Sequence, residues 1–215
     1  MASKPLYRPA TQVFVARGYK KQAGLAVFTK ALPSGLVVRV GMNSSSGVGL
    51  TLNPLLGVGY PMLTYWVDRL LEAPATNDPL RWSVKTTLGL LIPRDQRVPW
   101  EVAKDRDEQN ARTWDLIGRQ FDEFGVLWIS ERDTPEKLLE AIGRPEPGPL
   151  TRCDLPVLLW LLGDEAGARG AIEVEQTRPF TGGTVIDYER FADRLIVEID
   201  KHPAGPATWA NSEGM

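Results

Sequence analysis

Short groups of acidic side chains are the residues of this 215-residue chain that are best suited to chemistry. Asp105, Asp107 and Glu108 form one group, Asp122 and Glu123 a second, and further acids stand at 164–165 and 173–175. Carboxylates that converge in a cleft support general acid–base catalysis or bind a hard divalent cation. These acids instead fall where helix N-termini and solvated helix faces are predicted, and such positions favour a surface that attracts a basic partner.

Other catalytic residues are scarce. The chain has one histidine, His202, and one cysteine, Cys153, which leaves no histidine cluster for a metal and no disulfide within the chain. Glycines at 47–49 and 57–59 lack both the Gly-Lys-Ser/Thr ending of a phosphate loop and the spacing of a dinucleotide loop. We therefore predict no catalytic residue, no cofactor and no metal site, and we expect that the protein is not an enzyme.

Seven tryptophans are a large number for this length, and tryptophan is favoured both in cores and at binding hot spots. We expect most of them in the core, and Trp66, Trp114 and Trp160 lie on predicted apolar helix faces. Trp100, after Pro99 where the composition changes, and Trp128, in a predicted loop or edge segment, are better placed to contact a partner. The predicted interface comprises Trp100, Asp105, Asp107, Glu108, Asp122, Glu123 and Trp128.

Charge is divided unevenly along the chain although the net charge is only −2. Residues 1–99 carry 12 Lys and Arg against 4 Asp and Glu, whereas residues 100–215 carry 13 against 23. This division can steer a charged partner, or it can be neutralised between the two halves. The basic half contains no recognisable nucleic-acid module, so a protein partner is favoured over nucleic acid.

Hydrophobic periodicity predicts the elements that must position these residues. In the first half, alternation predicts four strands, with a turn at 33–35, a third strand that ends by Pro54, and the most regular strand at Trp82–Leu90. A short helix ends near Gly18, a helix from Tyr60–Pro61 is expected to cover one sheet face, and residues 73–81 are predicted as a loop. The predicted strands are 25–29, 36–42, 48–53 and 82–90.

The second half is predicted to be helical. Asp105 and Glu108 resemble a capping box for a helix that Gly125 stops, and Thr134–Pro135 opens a helix through Ile142. A Pro-rich break at 144–149 precedes three further helices, which begin near Asp154, Glu165 and Asp187.

These elements predict the α+β class: an antiparallel sheet of about four strands with a packed helix, followed by a helical C-terminal half. We divide the chain into a strand-rich half (1–99), a helical half of the same compact unit (100–203) and a flexible tail (204–215). The first residues lack the apolar stretch of a secretory signal, and no run is long enough to span a bilayer. We therefore expect a cytoplasmic protein without a membrane partner.

Several motifs resemble an uncharacterised bacterial family of small cytosolic domains that are commonly encoded among polymorphic-toxin immunity genes. The motifs are RGYKKQAG at 17–24, FTK at 28–30, LTLN at 50–53, FGVLWI at 124–129 and LLWLLGD at 158–164. The chain differs from the family by longer N-terminal loops and by the break at 144–149. The resemblance implies a non-enzymatic inhibitor, a rigid scaffold that covers a toxin's active site and stays bound, and it supplies no catalytic residues.

The sequence therefore predicts an immunity protein or antitoxin that neutralises a cognate bacterial toxin by occluding the toxin's active site. Two alternatives stay open at this point. One is a hydrolase that uses carboxylates and a bound metal, and the other is a nucleic-acid-binding protein that uses the basic N-terminal half.

Overall fold

A computed structural model describes residues 8–22, 26–46, 50–72, 82–143, 151–178 and 187–206. The glycines at 47–49, the predicted loop at 73–81, the Pro-rich break at 144–149 and residues 207–215 of the predicted tail lie outside these ranges. Contacts divide the chain into two compact units, Met1–Val58 with Val84–Asp133, and Gly59–Ser83 with Thr134–Met215. Each unit is made of two separate segments of the chain. The boundaries between the units therefore differ from the single change of composition near residue 99.

The first unit is built on an antiparallel sheet, whose described strands number six. Strands β1 to β5 follow one another in chain order, and β6 pairs with β4. The α+β class predicted from the sequence, with a helical C-terminal half, is confirmed. The strands are β1 (Lys20–Lys21), β2 (Val27–Ala31), β3 (Val37–Ser46), β4 (Leu50–Gly59), β5 (Val84–Thr87) and β6 (Trp100–Val102).

Strand β4 does not end at Pro54 as the sequence predicted, because Pro54 falls where the strand changes partner. Leu50 to Leu52 pair with β6, and Leu55 to Val58 pair with β5. A proline cannot donate to a ladder, and it is tolerated where the ladder is interrupted. The buried Pro54 therefore lies inside a ten-residue strand.

The predicted strand at 82–90 is also wrong in its second half. β5 ends at Thr87, and the next residues form one helical turn, α3 (Leu88–Leu91). In β5, Thr87 pairs with Leu55 of β4. If the strand continued in this antiparallel register, Leu90 would lie opposite Leu52. Leu52 already pairs with Trp100 of β6. Because β6 occupies that part of the edge, the alternating sequence has no backbone partner there and turns away from the sheet.

Helices pack on the sheet within the first unit. They are α1 (Arg8–Val15), α4 (Asp107–Gln120), a π-helical turn (Phe121–Gly125) and α5 (Val126–Ser130). Phe14 of α1 lies 5.1 Å from Phe28 of β2 and 5.3 Å from Phe121 between ring centroids. This aromatic cluster forms the core between α1, the sheet and the π turn.

Gly125 does not stop the helix, contrary to the sequence prediction. Its backbone is right-handed helical, and the chain continues from the π turn directly into α5. A Cβ at this position would lie 2.9 Å from Phe121 Cδ2 and 3.1 Å from Leu56 Cδ2. Glycine is present because the helix approaches β4 closely, not because the chain turns.

The second unit is helical in its described part, with α2 (Pro61–Leu70), α6 (Pro135–Ile142), α7 (Thr151–Leu161), α8 (Glu165–Thr177) and α9 (Tyr188–Lys201). Trp66 and Trp160 meet edge to face at 4.8 Å in its core. Trp160 Nε1 also donates to the backbone oxygen of His202 at 2.8 Å. Gly205 and Pro206, at the start of the predicted flexible tail, are buried.

Helix α7 begins at Thr151, one turn before the predicted start at Asp154. The extra turn carries Arg152, whose Nε donates to Glu175 Oε2 at 2.7 Å, and Arg178 Nη1 donates to Glu175 Oε1 at 2.8 Å. Glu175 is only 4% exposed, so it does not lie on the solvated face that the sequence predicted for it. It is the shared acceptor of two arginines.

Replacing Gly125 by alanine is expected to destabilise the protein by about 1–3 kcal/mol, because the added methyl overlaps Phe121 and Leu56 in a packed core. Urea unfolding followed by circular dichroism measures the change. Gly89→Ala is the matched control in the same unit, since its Cβ would make only ordinary contacts at 3.6 Å or more. Equal stability of the two variants would contradict the packing role of Gly125.

Glu175→Gln is expected to cost roughly 3–5 kcal/mol, because it removes the buried carboxylate that pairs with Arg152, whose side chain is only 14% exposed. Glu173→Gln makes the same chemical change at an exposed position on the same helix and should change stability by less than about 0.5 kcal/mol. Thermal unfolding of both variants measures the change in stability. If both variants lose the same stability, burial of the Arg152–Glu175 ion pair is not the cause.

Candidate protein-binding surface

Residues 107–130 form one continuous helical segment, made of α4, the π turn and α5, which we call the central helix. Its inner side is buried and includes Trp114, Ile117 and Phe121, which are each 1% exposed or less. Its outer side is exposed and carries Asp107 and Glu108 of the first acidic group and both acids of the second. The sheet therefore fixes this helix with a charged face towards solvent.

The predicted acidic residues are brought together in two places. Asp105, Asp107 and Glu108 lie within one turn of the start of α4, and Asp122 and Glu123 lie in the π turn. At 1.5 Å per residue the two groups are about 20 Å apart along the axis. All five residues are exposed. Glu108 also accepts from Arg112 at 2.8 Å.

The two tryptophans of the predicted interface lie in the interior of the first unit. Trp100 is 5% exposed, and its Nε1 donates to Gln120 Oε1 at 2.8 Å. Trp128 is 9% exposed, and the Arg132 guanidinium lies over its ring at 4.4 Å from the centroid. Both rings contact the protein's own side chains, so neither is presented to a partner.

Two aliphatic side chains that sequence reasoning missed stand beside the second acidic group. Val126 is 48% exposed and Leu127 is 59% exposed, and they follow Asp122 and Glu123 by four residues each. Residues four apart are neighbours on a helix surface. We call Asp122, Glu123, Val126 and Leu127 the acidic–aliphatic patch. The sequence signal for the patch is a pair of acids followed four residues later by a pair of aliphatic residues. We missed it because the helix was predicted to end at Gly125, between the two pairs.

The patch is held in place by Arg17, which lies in the turn directly after α1. Arg17 Nε and Nη2 donate to the two carboxylate oxygens of Asp122, each at 2.7 Å, and Arg17 Nη1 donates to the backbone oxygen of Val13 at 2.6 Å. The hydrogen bond to Asp122 raises the pKa of Arg17. Burial raises the pKa of the nearby Tyr19, and the charge of Asp122 adds to this effect. Glu123 has no ion-pair partner among the described residues, so its charge is available to a ligand.

A groove of about 760 Å³ lies between α1 and the first half of α4, and we call it the α1–α4 groove. This volume is within the range of ligand sites in proteins. The floor is apolar and the rim carries charges of both signs. Its described lining is Arg8, Pro9, Gln12, Val13, Arg17, Ala103, Lys104, Asp105, Asp107, Asn110, Ala111, Trp114 and Asp115.

Trp114 lines this groove and is 1% exposed, and its Nε1 is buried without a hydrogen-bond acceptor in the described part of the chain. A buried indole N–H usually finds a partner, and leaving such a donor unpaired costs about 1–3 kcal/mol. Trp114 thus has a buried donor that no described side chain or backbone group satisfies.

Asn110 fixes the entrance of the groove. Its Oδ1 accepts from the backbone N–H of Ala103 at 3.0 Å, and its Nδ2 donates to the Ala103 oxygen at 2.7 Å. The predicted capping box is wrong, because Asp105 takes a left-handed conformation (φ 62°) and the residue before α4 is Arg106, without a side-chain cap. Aspartate tolerates that conformation better than most residues. The Asn110 clamp instead sets the position of the loop before α4.

No protein-family model, no curated protein and no solved structure matches the chain. Among the helices that the structure describes, none is both long enough and apolar enough to cross a lipid bilayer. Within the same ranges, no group of three or more His, Cys, Asp or Glu side chains is arranged to hold a metal ion.

Asn110→Asp is expected to destabilise the first unit by about 1–3 kcal/mol at pH 7, because a carboxylate cannot donate to the Ala103 oxygen and loses hydration. Gln109→Glu is the matched control, since it makes the same change one residue earlier at an exposed position.

The loss should depend on pH. Burial beside a carbonyl raises the folded-state pKa of the introduced carboxyl above its unfolded value of about 3.9. The penalty is therefore full above the folded-state pKa, shrinks as the pH falls from that pKa towards about 3.9, and is lost below about 3.9, where the acid is protonated in both states and can donate. Urea unfolding at pH 7 and pH 3 measures the change. A penalty that is equal at both pH values would contradict the clamp.

Proposed function

We propose that this chain is a non-enzymatic binding protein, and most concretely an immunity protein or antitoxin that neutralises a cognate bacterial toxin by occluding the toxin's active site. The observation that carries the proposal is the acidic–aliphatic patch, in which two exposed aliphatic side chains adjoin two carboxylates on a helix packed against a sheet. The resemblance of several sequence motifs to immunity-gene products supports a toxin as the partner.

The patch fits a protein partner that carries both apolar and basic side chains. Burial of Val126 and Leu127 supplies affinity at roughly 25 cal/mol per Å² of apolar surface removed from water. The carboxylate of Glu123 accelerates association with a basic surface and disfavours acidic partners.

The support beneath the patch also favours binding. Arg17 holds Asp122 through two hydrogen bonds, and the central helix is packed against β4 at Gly125. Side chains that are already ordered lose less conformational freedom on association, which leaves more of the contact energy as affinity.

An acidic surface can inhibit a toxin that acts on an anionic substrate. Such an enzyme binds its substrate through lysines and arginines, and a carboxylate surface competes for the same cations. A tightly bound partner then blocks the active site without any covalent step, which is consistent with the inhibitor that the resemblance implies.

Coexpression with the product of the adjacent open reading frame tests the proposal. We expect the wild-type chain to restore growth of cells that express that product and to form a one-to-one complex with it in calorimetry. Glu123→Lys should weaken the complex at least about tenfold, because it places a cation against a basic partner.

Glu140→Lys is the matched control. It makes the same charge change at an exposed position on α6, so it should leave the affinity within about twofold of the wild-type value. If the wild-type chain neither binds the neighbouring product nor restores growth, the proposed function is wrong. If Glu123→Lys and Glu140→Lys weaken binding equally, the net charge of the chain and not the patch determines the affinity.

A further inference from the structure

We propose that a notch beside α3 binds a small molecule with an apolar body and a carboxylate, and that the carboxylate pairs with Arg97. The notch has a volume of about 330 Å³ and lies in the first unit. This inference does not depend on the proposed function, because it involves neither the acidic–aliphatic patch nor a partner protein. We call the site the α3 notch, and its described lining is Gly89, Ile92, Arg97, Val98, Pro99 and Trp100.

The α3 notch lies where one edge of β4 changes partner. β6 pairs with β4 up to Leu52 and β5 pairs with it from Leu55 onwards, so residues 53–54 have no described partner strand on that edge. The turn α3 follows β5 at this point, and a Cβ at Gly89 would lie 3.6 Å from the Trp100 ring. The same interruption that ends β5 early therefore places α3 against β6 and forms two sides of the notch.

Apart from one side chain, the lining of the notch is apolar or glycine. Ile92 is 2% exposed and Trp100 is 5% exposed, so these two side chains belong to the protein core. Val98 is 48% exposed, and Leu90, the neighbour of Gly89 in α3, is 65% exposed. An apolar ligand in the notch would remove part of this surface from water, which favours binding.

Charge in the notch selects an anionic ligand, because Arg97 is the one charged residue of its described lining. Arg97 Nε donates to the backbone oxygen of Ile92 at 2.8 Å, and Nη2 donates to that of Leu90 at 3.2 Å. Ile92 itself lines the notch, so the first of these bonds holds the guanidinium beside it.

These two bonds orient the guanidinium without neutralising it, because both acceptors are uncharged carbonyl groups. Arg97 is exposed and has no ion-pair partner among the described residues, and Nη1 has no acceptor there. A guanidinium with free donors forms short, charge-assisted hydrogen bonds with a carboxylate. A cationic ligand would be repelled by the same group.

The size of the notch limits the ligand to a small molecule. A volume of about 330 Å³ is at the lower end of the range for ligand sites, and it equals about eleven water molecules at about 30 Å³ each. Phenylacetate has an apolar ring, one carboxylate and about ten non-hydrogen atoms, so it is a suitable probe. Phenylacetamide has the same shape without the charge.

Nuclear magnetic resonance of the full ¹⁵N-labelled chain tests the inference. The backbone amide signals of Gly89 and Val98 report on the notch, and that of Val126 in the patch is the internal control. We expect phenylacetate to move the first two signals with a dissociation constant of about 1 mM, and phenylacetamide to bind at least about tenfold more weakly. Sodium chloride keeps the ionic strength equal in all titrations.

A carboxylate introduced beside Arg97 makes the test specific. Val98→Glu should weaken phenylacetate binding at least about tenfold, because the new carboxylate competes for the guanidinium. Val15→Glu makes the same change on α1 at an equally exposed position, 49% against 48%, and should leave the affinity within about twofold of the wild-type value. Arg97→Gln is less suitable, since it also removes the hydrogen bonds to Leu90 and Ile92.

Three results would overturn the inference. The first is that phenylacetate moves neither notch signal. The second is equal affinity for phenylacetate and phenylacetamide, which would show that Arg97 does not bind the carboxylate. The third is equal binding of phenylacetate by Val98→Glu and Val15→Glu. The proposed function is tested separately with the toxin complex and is unaffected by any of these results.

Discussion

The close contact of Gly125 with Phe121 and Leu56 is the constraint on which the arrangement of the first unit depends. It allows the π turn to lie directly on β4, and the central helix continues past it into α5. Without that continuation, Val126 and Leu127 would not follow Asp122 and Glu123 on one exposed side of a helix. The acidic–aliphatic patch is therefore a consequence of how closely a helix approaches a strand. π-helical turns occur frequently at functional sites, and here the turn carries the two carboxylates.

Elements whose ends are set by local chemistry were predicted accurately from the sequence. Thr134, Asp164 and Asp187 each accept a backbone N–H from the residue three positions later, and the helices α6, α8 and α9 begin directly after them. The hairpin turn before β3 likewise contains Gly35 with φ 83°. In these cases the residue type that predicts the cap or turn is also the residue that forms it. The neighbouring sequence is therefore sufficient for a correct prediction.

The errors share a non-local cause. Alternation at 82–90 is typical of a strand, but β6 occupies the edge that its second half would need. Trp100 and Trp128 were predicted to contact a partner, and they are buried because Gln120 and Arg132 reach them. The two acidic groups of the predicted interface were predicted correctly as exposed, whereas Glu175 is buried, and Val126 and Leu127 were missed. The α1–α4 groove was missed as well, because its walls are separated by about a hundred residues of sequence.

Arg17 connects the α1–α4 groove with the acidic–aliphatic patch. It lines the α1–α4 groove, and its guanidinium also holds both oxygens of Asp122 in the patch. This ion pair neutralises one cation of the basic half with one carboxylate of the acidic half. Glu123, Asp107 and Asp115 have no ion-pair partner among the described residues. The uneven charge of the sequence is thus partly neutralised inside the first unit, and the remainder is negative along the exposed side of the central helix. The same arginine ties the segment after α1 to the central helix, so that one ion pair sets the position of the patch relative to the groove.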